Sequence, residues 1–195
     1  MGAGAGRPSL AVMSKDLEED PREEAAPREA ALFAELDRLG IAHRTEAHAA
    51  VFTVAESAPI KAALPGGHSK TLLVRDKTSL FLIVALGAAR VDLKAVGRAL
   101  GASGRLSFAD ADTLMATLGL TPGSVTPFGL MHEGASAIRA VVLDEALLAH
   151  DPVWFHPLRN TASTAVSPAG LRAFCRAHAR AVTEMPVAGA AAPAA

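Results

Sequence analysis

Thr71-Leu72-Leu73-Val74-Arg75-Asp76-Lys77-Thr78-Ser79-Leu80-Phe81-Leu82-Ile83-Val84-Ala85-Leu86 is the stretch that decides the fold. Two aliphatic runs flank Asp76-Lys77-Thr78-Ser79, where every side chain is polar. Asp and Ser side chains bond their own backbone and so favour a reversal of the chain. The pattern predicts a hairpin: a strand over 71–75, a turn over 76–79 and a return strand over 80–86. The return strand holds no polar residue. A strand wetted on one face alternates, so unbroken apolarity asks for cover on both faces and a central place in a sheet. Leu64-Pro65-Gly66-Gly67-His68-Ser69 leads in from upstream, with Lys70 expected to open the first strand.

Working outward, a helix is expected over 27–39. Pro27 suits its first position, Leu32, Phe33, Leu36 and Leu39 form its apolar stripe, and Gly40 follows its end. A short strand is expected over 41–46. Thr53 and Glu56 have capping-box spacing, with Val51 and Phe52 as the hydrophobic lead-in. Asp92 is placed to cap a helix that closes at Gly101, and Asp110 or Asp112 one that ends at Gly119. Strands are expected over 105–108 and 137–143, with a helical turn or two over 144–150 and extended chain over 153–157 and 160–165. Ser167-Pro168 reads as an N-cap followed by a first-turn proline, starting a helix to about 181. Helices and hairpins mix without regular alternation. The class is therefore α+β, with a mixed, mainly antiparallel central sheet surrounded by helices. Residues 1–20 and 183–195 are expected to be disordered tails around one domain spanning 21–182.

Composition narrows the function. The chain has 195 residues, half of them hydrophobic, enough for one core. Its net charge of -1 gives no global basic field, so a nucleic-acid partner has to meet a local patch. A single cysteine, Cys175, excludes a disulfide framework and a cysteine-based zinc site. No apolar run reaches membrane-span length, and no signal peptide is evident. A cytoplasmic location is expected.

The candidate site centres on Leu118-Gly119-Leu120-Thr121-Pro122-Gly123-Ser124-Val125-Thr126-Pro127-Phe128-Gly129-Leu130. Glycines there allow φ > 0 or close approach, and prolines stiffen the chain. Such a loop can cradle a small polar ligand through its N–H groups; on composition alone, a long helix-to-strand connection is the better explanation. Lys70 is either a pocket cation or a solvated strand-end lysine. His156, between Phe155 and Pro157, is either a catalyst or a hydrogen-bonded core histidine. Asn160, Thr161, Ser163 and Thr164 are expected to pair hydroxyls across strands. The seven histidines are scattered and lack metal-site spacing, so neither a metal nor another cofactor is expected. Cys175 reads as buried packing.

Seven segments, taken together and in order, are more specific. They are Ala50–Thr53, Gly67–Lys77, Val91–Lys94, Arg105–Phe108, Leu118–Leu130, Val142–Asp144 and Phe155–Asn160. The set resembles the YbaK/prolyl-tRNA-editing-domain family, in particular its freestanding ProXp-ala (PrdX-like) trans-editing branch, over roughly 32–177. The resemblance implies a deacylase that hydrolyses tRNA(Pro) mischarged with alanine. Its partners would be the tRNA(Pro) acceptor end and prolyl-tRNA synthetase. A synthetase pocket built for proline cannot exclude the smaller alanine by sterics, so a second site is needed. By the same resemblance, Gly123 to Pro127 would hold the ester carbonyl through backbone N–H groups such as that of Ser124. Lys70 would contact the terminal adenosine or phosphate, and His156 would position the terminal nucleotide. Val51, Phe52, Thr53, Thr71, Thr126, Pro127, Gly129 and Asn160 would line the substrate. Many relatives carry Asn where this chain has Thr71, which either finds a nearer partner or loses that contact. A sister deacylase for cysteine or another small amino acid and a non-catalytic tRNA- or synthetase-binding module are the rival readings.

Overall fold

A computed structural model of the chain describes residues 21–50, 60 and 62–188. The predicted hairpin is its centre. Strand β2 (Gly67–Arg75) runs antiparallel to β3 (Leu80–Leu86), with Leu73 opposite Leu82 and Thr71 opposite Val84. Asp76 builds the turn. Its Oδ1 accepts the N–H groups of Thr78 at 2.8 Å and Ser79 at 2.7 Å, and its Oδ2 accepts that of Ser103 at 2.7 Å. These bonds hold the Asp76 carboxyl well below the usual carboxylate range despite the opposing effect of burial. β2 is longer than expected, because Gly67 and His68 pair with a strand far along the chain. Lys70 therefore lies within β2 rather than at its start.

The remaining strands are β1 (His43–Ala47), β4 (Ser107–Phe108), β5 (Ile138–Asp144), β6 (Val153–Phe155), β7 (Ala162–Val166) and β8 (Val182–Met185). Their order is β1-β7-β6-β2-β3-β5-β8, with β4 alongside β2. Four pairings are antiparallel and three parallel. β3 is internal, as its unbroken apolarity requires. Leu82 and Val84 enter one core with Leu73, Val141, Phe155 and Phe174, while Phe81, Ile83 and Ala85 enter a second with Val74, Val96 and Val142. The strand expected over 105–108 shortens to the two residues of β4.

Helices α1 (Pro21–Arg38), α2 (Leu93–Ala99), α3 (Ala111–Leu118), α4 (Glu145–Leu148) and α5 (Pro168–His178) surround the sheet, with 3-10 turns at Pro127–Met131 and Glu133–Ala137. α1 corrects one expectation: Pro27 lies inside it and does not begin it. Only one backbone donor is forfeited at Pro27, and Arg22-Glu23-Glu24-Ala25-Ala26 before it are strong helix formers. Its end is as expected. Gly40 has φ +67°, its N–H reaches Asp37 O, and the Ile41 N–H reaches Leu36 O at 2.9 Å, a Schellman ending. Asp92, Asp110, Asp144 and Ser167 each cap a helix through a side-chain oxygen.

The C-terminal segment is the second correction. α5 stops at His178, short of the expected 181, and β8 pairs with β5 in parallel where a tail from 183 was predicted. Beyond it Val187 is buried and its O accepts the Asp92 N–H at 2.8 Å. Arg172 of α5 grips Glu184 of β8 with two bonds of 2.9 Å. The buried carboxylate of Asp144 accepts N–H groups from Leu86 (3.0 Å), Ala146 (3.3 Å) and Val187 (3.4 Å). The predicted capping box at Thr53 and Glu56, and both chain ends, lie outside the described residues. No described helix is long and apolar enough to cross a membrane.

Phe128 joins the first core to the glycine-proline loop. Fully buried, it packs edge-on against Phe155 (centroids 5.6 Å apart) and Phe174 (5.1 Å). Phe128→Ala is expected to lower unfolding free energy by about 3–5 kcal/mol. Chemical denaturation with an unchanged m-value checks it, and a loss below about 1 kcal/mol would contradict the packing assignment.

Candidate functional site

Strand register defines the site face. Arg44 of β1 pairs with Ala165 of β7, Ala165 with Trp154 of β6, and Trp154 with His68 of β2. Directly paired residues share a face of a sheet. The side chains agree: the Arg44 guanidinium lies 5.2 Å from the Trp154 ring centroid, and the His68 ring stacks on that ring at 6.4 Å. His68 Nε2 and Trp154 Nε1 are tied in turn to Leu64 O (2.8 Å) and Pro65 O (2.9 Å).

One step along the strands lies a second row on the same face. It contains Glu46 and its partner Ser163, and then His156 and Lys70, each two residues past the last registered pair of β6 and β2. Lys70 is half-buried and its ammonium donates to Ala89 O. On β2 it stands where the face passes from the polar rows to the second core, since Leu72 and Val74 follow it there. Lys70 and His156, 86 positions apart, are thus brought to the same face and level by the parallel β2–β6 pairing.

His156 is held in one tautomer. Its Nδ1 lies 2.9 Å from Ala162 O, which can only accept, so Nδ1 carries the proton and Nε2 keeps its lone pair. Burial chiefly, with the neighbouring His48 second, pushes the imidazole below its ordinary 6.5, against the opposing effect of the Ala162 bond. The two rings are 6.2 Å apart. His48 follows the same logic: Nδ1 donates to Ala49 O at 2.8 Å, leaving Nε2 to accept the Ser163 hydroxyl at 2.9 Å. The outcome is an imidazole acceptor on the sheet face that also carries Lys70.

The loop resolves into three units. Thr121-Pro122-Gly123-Ser124 is a turn closed by the Ser124 N–H on Thr121 O (3.1 Å), with Pro122 second and Gly123 third at φ +93°, the residue pattern of a type II turn. Thr126 caps the following 3-10 turn by accepting the Phe128 N–H, with Pro127 at its start. Thr126, Pro127 and Gly129 are buried, while Gly123 is exposed and a Cβ there would meet nothing within 4 Å. The Ser124 N–H is used inside the loop. Those of Gly123, Val125 and Thr126 find no acceptor among the described residues. The loop packs on the opposite sheet face from Lys70, and the contact between Phe128 and Phe155 links it to His156.

Thr71 also lies on that opposite face, buried, and its Oγ1 has no partner among the described residues. The nearer partner that a shorter side chain could have reached is thus not found among the described residues. Asn160 sits in the turn before β7 rather than on a strand. The expected cross-strand hydroxyl pairing is seen at Thr45 and Thr164, 2.8 Å apart. Val51, Phe52 and Thr53 lie outside the described residues. Among the described residues, no three His, Cys, Asp or Glu side chains gather as a metal site. Cys175 is buried, and burial pushes its thiol up to about 12. Reading the sequence missed Arg44, His48 and Trp154, and gave Ser163 only a cross-strand hydroxyl role. The alternation Arg44, Glu46, His48 was the available signal, since period-two polar residues mark one strand face.

Residues 48–174 match the model of the aminoacyl-tRNA editing domain. The chain belongs to this family. The editing-domain match is supported by full-length relatives. Prolyl-tRNA synthetase associated domain-containing protein 1 of Mus musculus is 37% identical over 75% of this chain and 90% of its own length. Prolyl-tRNA editing protein ProX of Acetoanaerobium sticklandii is 32% identical over 76% and 90%. The fold is shared with the crystal structure of a candidate trans-editing enzyme for prolyl tRNA synthetase, with a TM-score of 0.67 at 21% identity, covering 85% of this chain and 97% of that one.

An NMR titration of the ring protons is expected to place His156 below 6.5. The unfolded imidazole binds its proton near the ordinary value, so stability falls as pH drops from there through the lower folded pKa. His156→Gln should remove that part of the acid destabilisation. A His156 titrating at or above 6.5 contradicts the burial assignment.

Proposed function

We propose that this editing domain is a trans-acting deacylase whose substrate is tRNA(Pro) mischarged with alanine. The observation that carries it is the neutral His156 acceptor brought level with the Lys70 cation on one sheet face. Family membership and the names of the relatives in mouse and A. sticklandii support the substrate class. In this reading Lys70 attracts the terminal phosphate or adenosine of the acceptor end. His156 Nε2 accepts a hydrogen bond from a terminal ribose hydroxyl or from the attacking water. Water adds to the ester carbonyl carbon, the ribose oxygen leaves and takes up a proton, and free alanine and tRNA result. The N–H groups of Gly123, Val125 and Thr126 meet no acceptor among the described residues, but the loop packs across the sheet from Lys70, so their reach to the carbonyl oxygen is what the Gly123 variant decides. Prolyl-tRNA synthetase, the source of the mischarged tRNA, is the second partner in this reading.

The test is a deacylation panel with Ala-, Cys-, Ser- and Pro-tRNA(Pro). Alanine is expected to be released and proline spared. A preference for cysteine makes the protein a sister deacylase, and no release from any of the four leaves a binding module.

A pair of variants tests the loop. Gly123→Val forces a β-branched residue into the left-handed region, a strain of about 1–3 kcal/mol, and should reduce the single-turnover rate strongly. Ser124→Ala keeps the backbone donor and should leave the rate nearly intact. An inactive Ser124→Ala beside a working Gly123→Val, both with native melting curves, would establish a serine nucleophile instead.

A further inference from the structure

The structure assigns Arg28 and Glu29, neighbours on α1, as positioning residues that hold both loops of the proposed site. The inference rests on the deacylase reading for its catalytic consequence. Arg28 reaches the loop that contains Gly123. Its guanidinium donates to Gly119 O at 2.7 Å and to Leu118 O at 3.5 Å, the open carbonyls at the end of α3. A cation there answers both the unmet acceptors and the negative end of the helix dipole. Gly119 has φ +62°, and a Cβ on it would come within 2.8 Å of Arg28, so the glycine leaves room for the arginine.

Glu29 reaches the other loop. Its Oε2 accepts from Arg159 Nε at 2.9 Å, and Arg159 also donates to Thr161 Oγ1 at 2.6 Å. Arg159 lies between His156 and Ala162, whose carbonyl fixes the His156 tautomer. One turn of α1 thus fastens the start of the glycine-proline loop and the turn that carries His156 and Asn160. The Phe128–Phe155 contact ties the same two segments from the core side.

A second feature separates this pair from ordinary surface bonds. Glu29 Oε1 is buried and without a partner among the described residues. An unmet buried acceptor weakens the fold, and departures from local consistency of this kind concentrate at functional sites.

The experiment compares wild type with Arg28→Met, Arg28→Lys and Glu29→Leu. Each is measured by single-turnover deacylation of Ala-tRNA(Pro), by kcat and KM, and by amide hydrogen exchange. Misplacement of about 1 Å at a reacting centre can lower rate on the order of 10²-fold. Arg28→Met and Glu29→Leu are expected to lower kcat on that order with KM little changed, and Arg28→Lys to recover part of the loss. Amides of 120–126 and 157–161 should exchange faster while those of β3 do not. Unchanged kcat in both removal variants, or unchanged exchange in both loops, overturns the assignment. Faster exchange throughout β3 means general destabilisation and also overturns it, unless Arg28→Lys restores β3 but not the full rate. Wild type inactive on all four aminoacyl-tRNAs overturns the deacylase reading, and the exchange comparison still decides the clamp.

Discussion

The strand Leu80–Leu86 has no side that tolerates water, and the molecule is built around that restriction. Alternate side chains must enter different cores, so the sheet needs cover on both faces. α1, α3 and α5 with the 3-10 turns supply one cover; α2 and the C-terminal segment supply the other. The polar rows begin where this double cover ends. Lys70 marks the change: on β2 it follows His68 on the polar side and precedes Leu72 on the apolar side of the same face. The site is therefore the unsealed end of a face whose other end is core. This placement gives a half-buried ammonium and a desolvated imidazole without an elaborate network.

What could be read in advance follows the range of the interactions involved. The hairpin, the caps at Asp92, Asp110 and Ser167, and the ending at Gly40 are decided within a few residues, and the sequence shows them. β8 is not local. Val182-Thr183-Glu184-Met185 has weak alternation, and its place is settled by β5 and by Arg172. Pro27 misled because a helix tolerates one missing donor when strong formers surround it. At the site, the ordered motifs pointed to Lys70, His156 and the loop residue by residue. The face they stand on was not legible, because it depends on the parallel pairing of Gly67 with Val153. The loop shows the opposite case. Gly123 was expected to serve either a positive φ or a ligand approach, and the turn from Thr121 to Ser124, with φ +93°, is sufficient reason for a glycine.

Electrostatics here is local throughout. A net charge of -1 offers nothing to guide a polyanion, whereas Arg44, His68 and Lys70 share one face. Arg44 is seated on Trp154 with Glu46 3.5 Å away, so that end of the face is not uniformly basic. Such a surface favours one oriented contact over retention of any polyanion. Thr71, on the other face, is buried with its hydroxyl unpaired among the described residues.

Asp144 carries a consequence for biosynthesis. Its carboxylate gathers N–H groups from the end of β3, the start of α4 and Val187. The first two emerge from a ribosome well before the third. A nascent chain can assemble the hairpin, β5 and both cores while this buried anion still lacks its last donor and β5 still has an open edge. β8 then pairs that edge, and Val187, two residues later, supplies the donor. Asp144 is thus the point at which early and late parts of the polypeptide meet: a chain stopped before Val182 leaves both the edge and the anion incomplete.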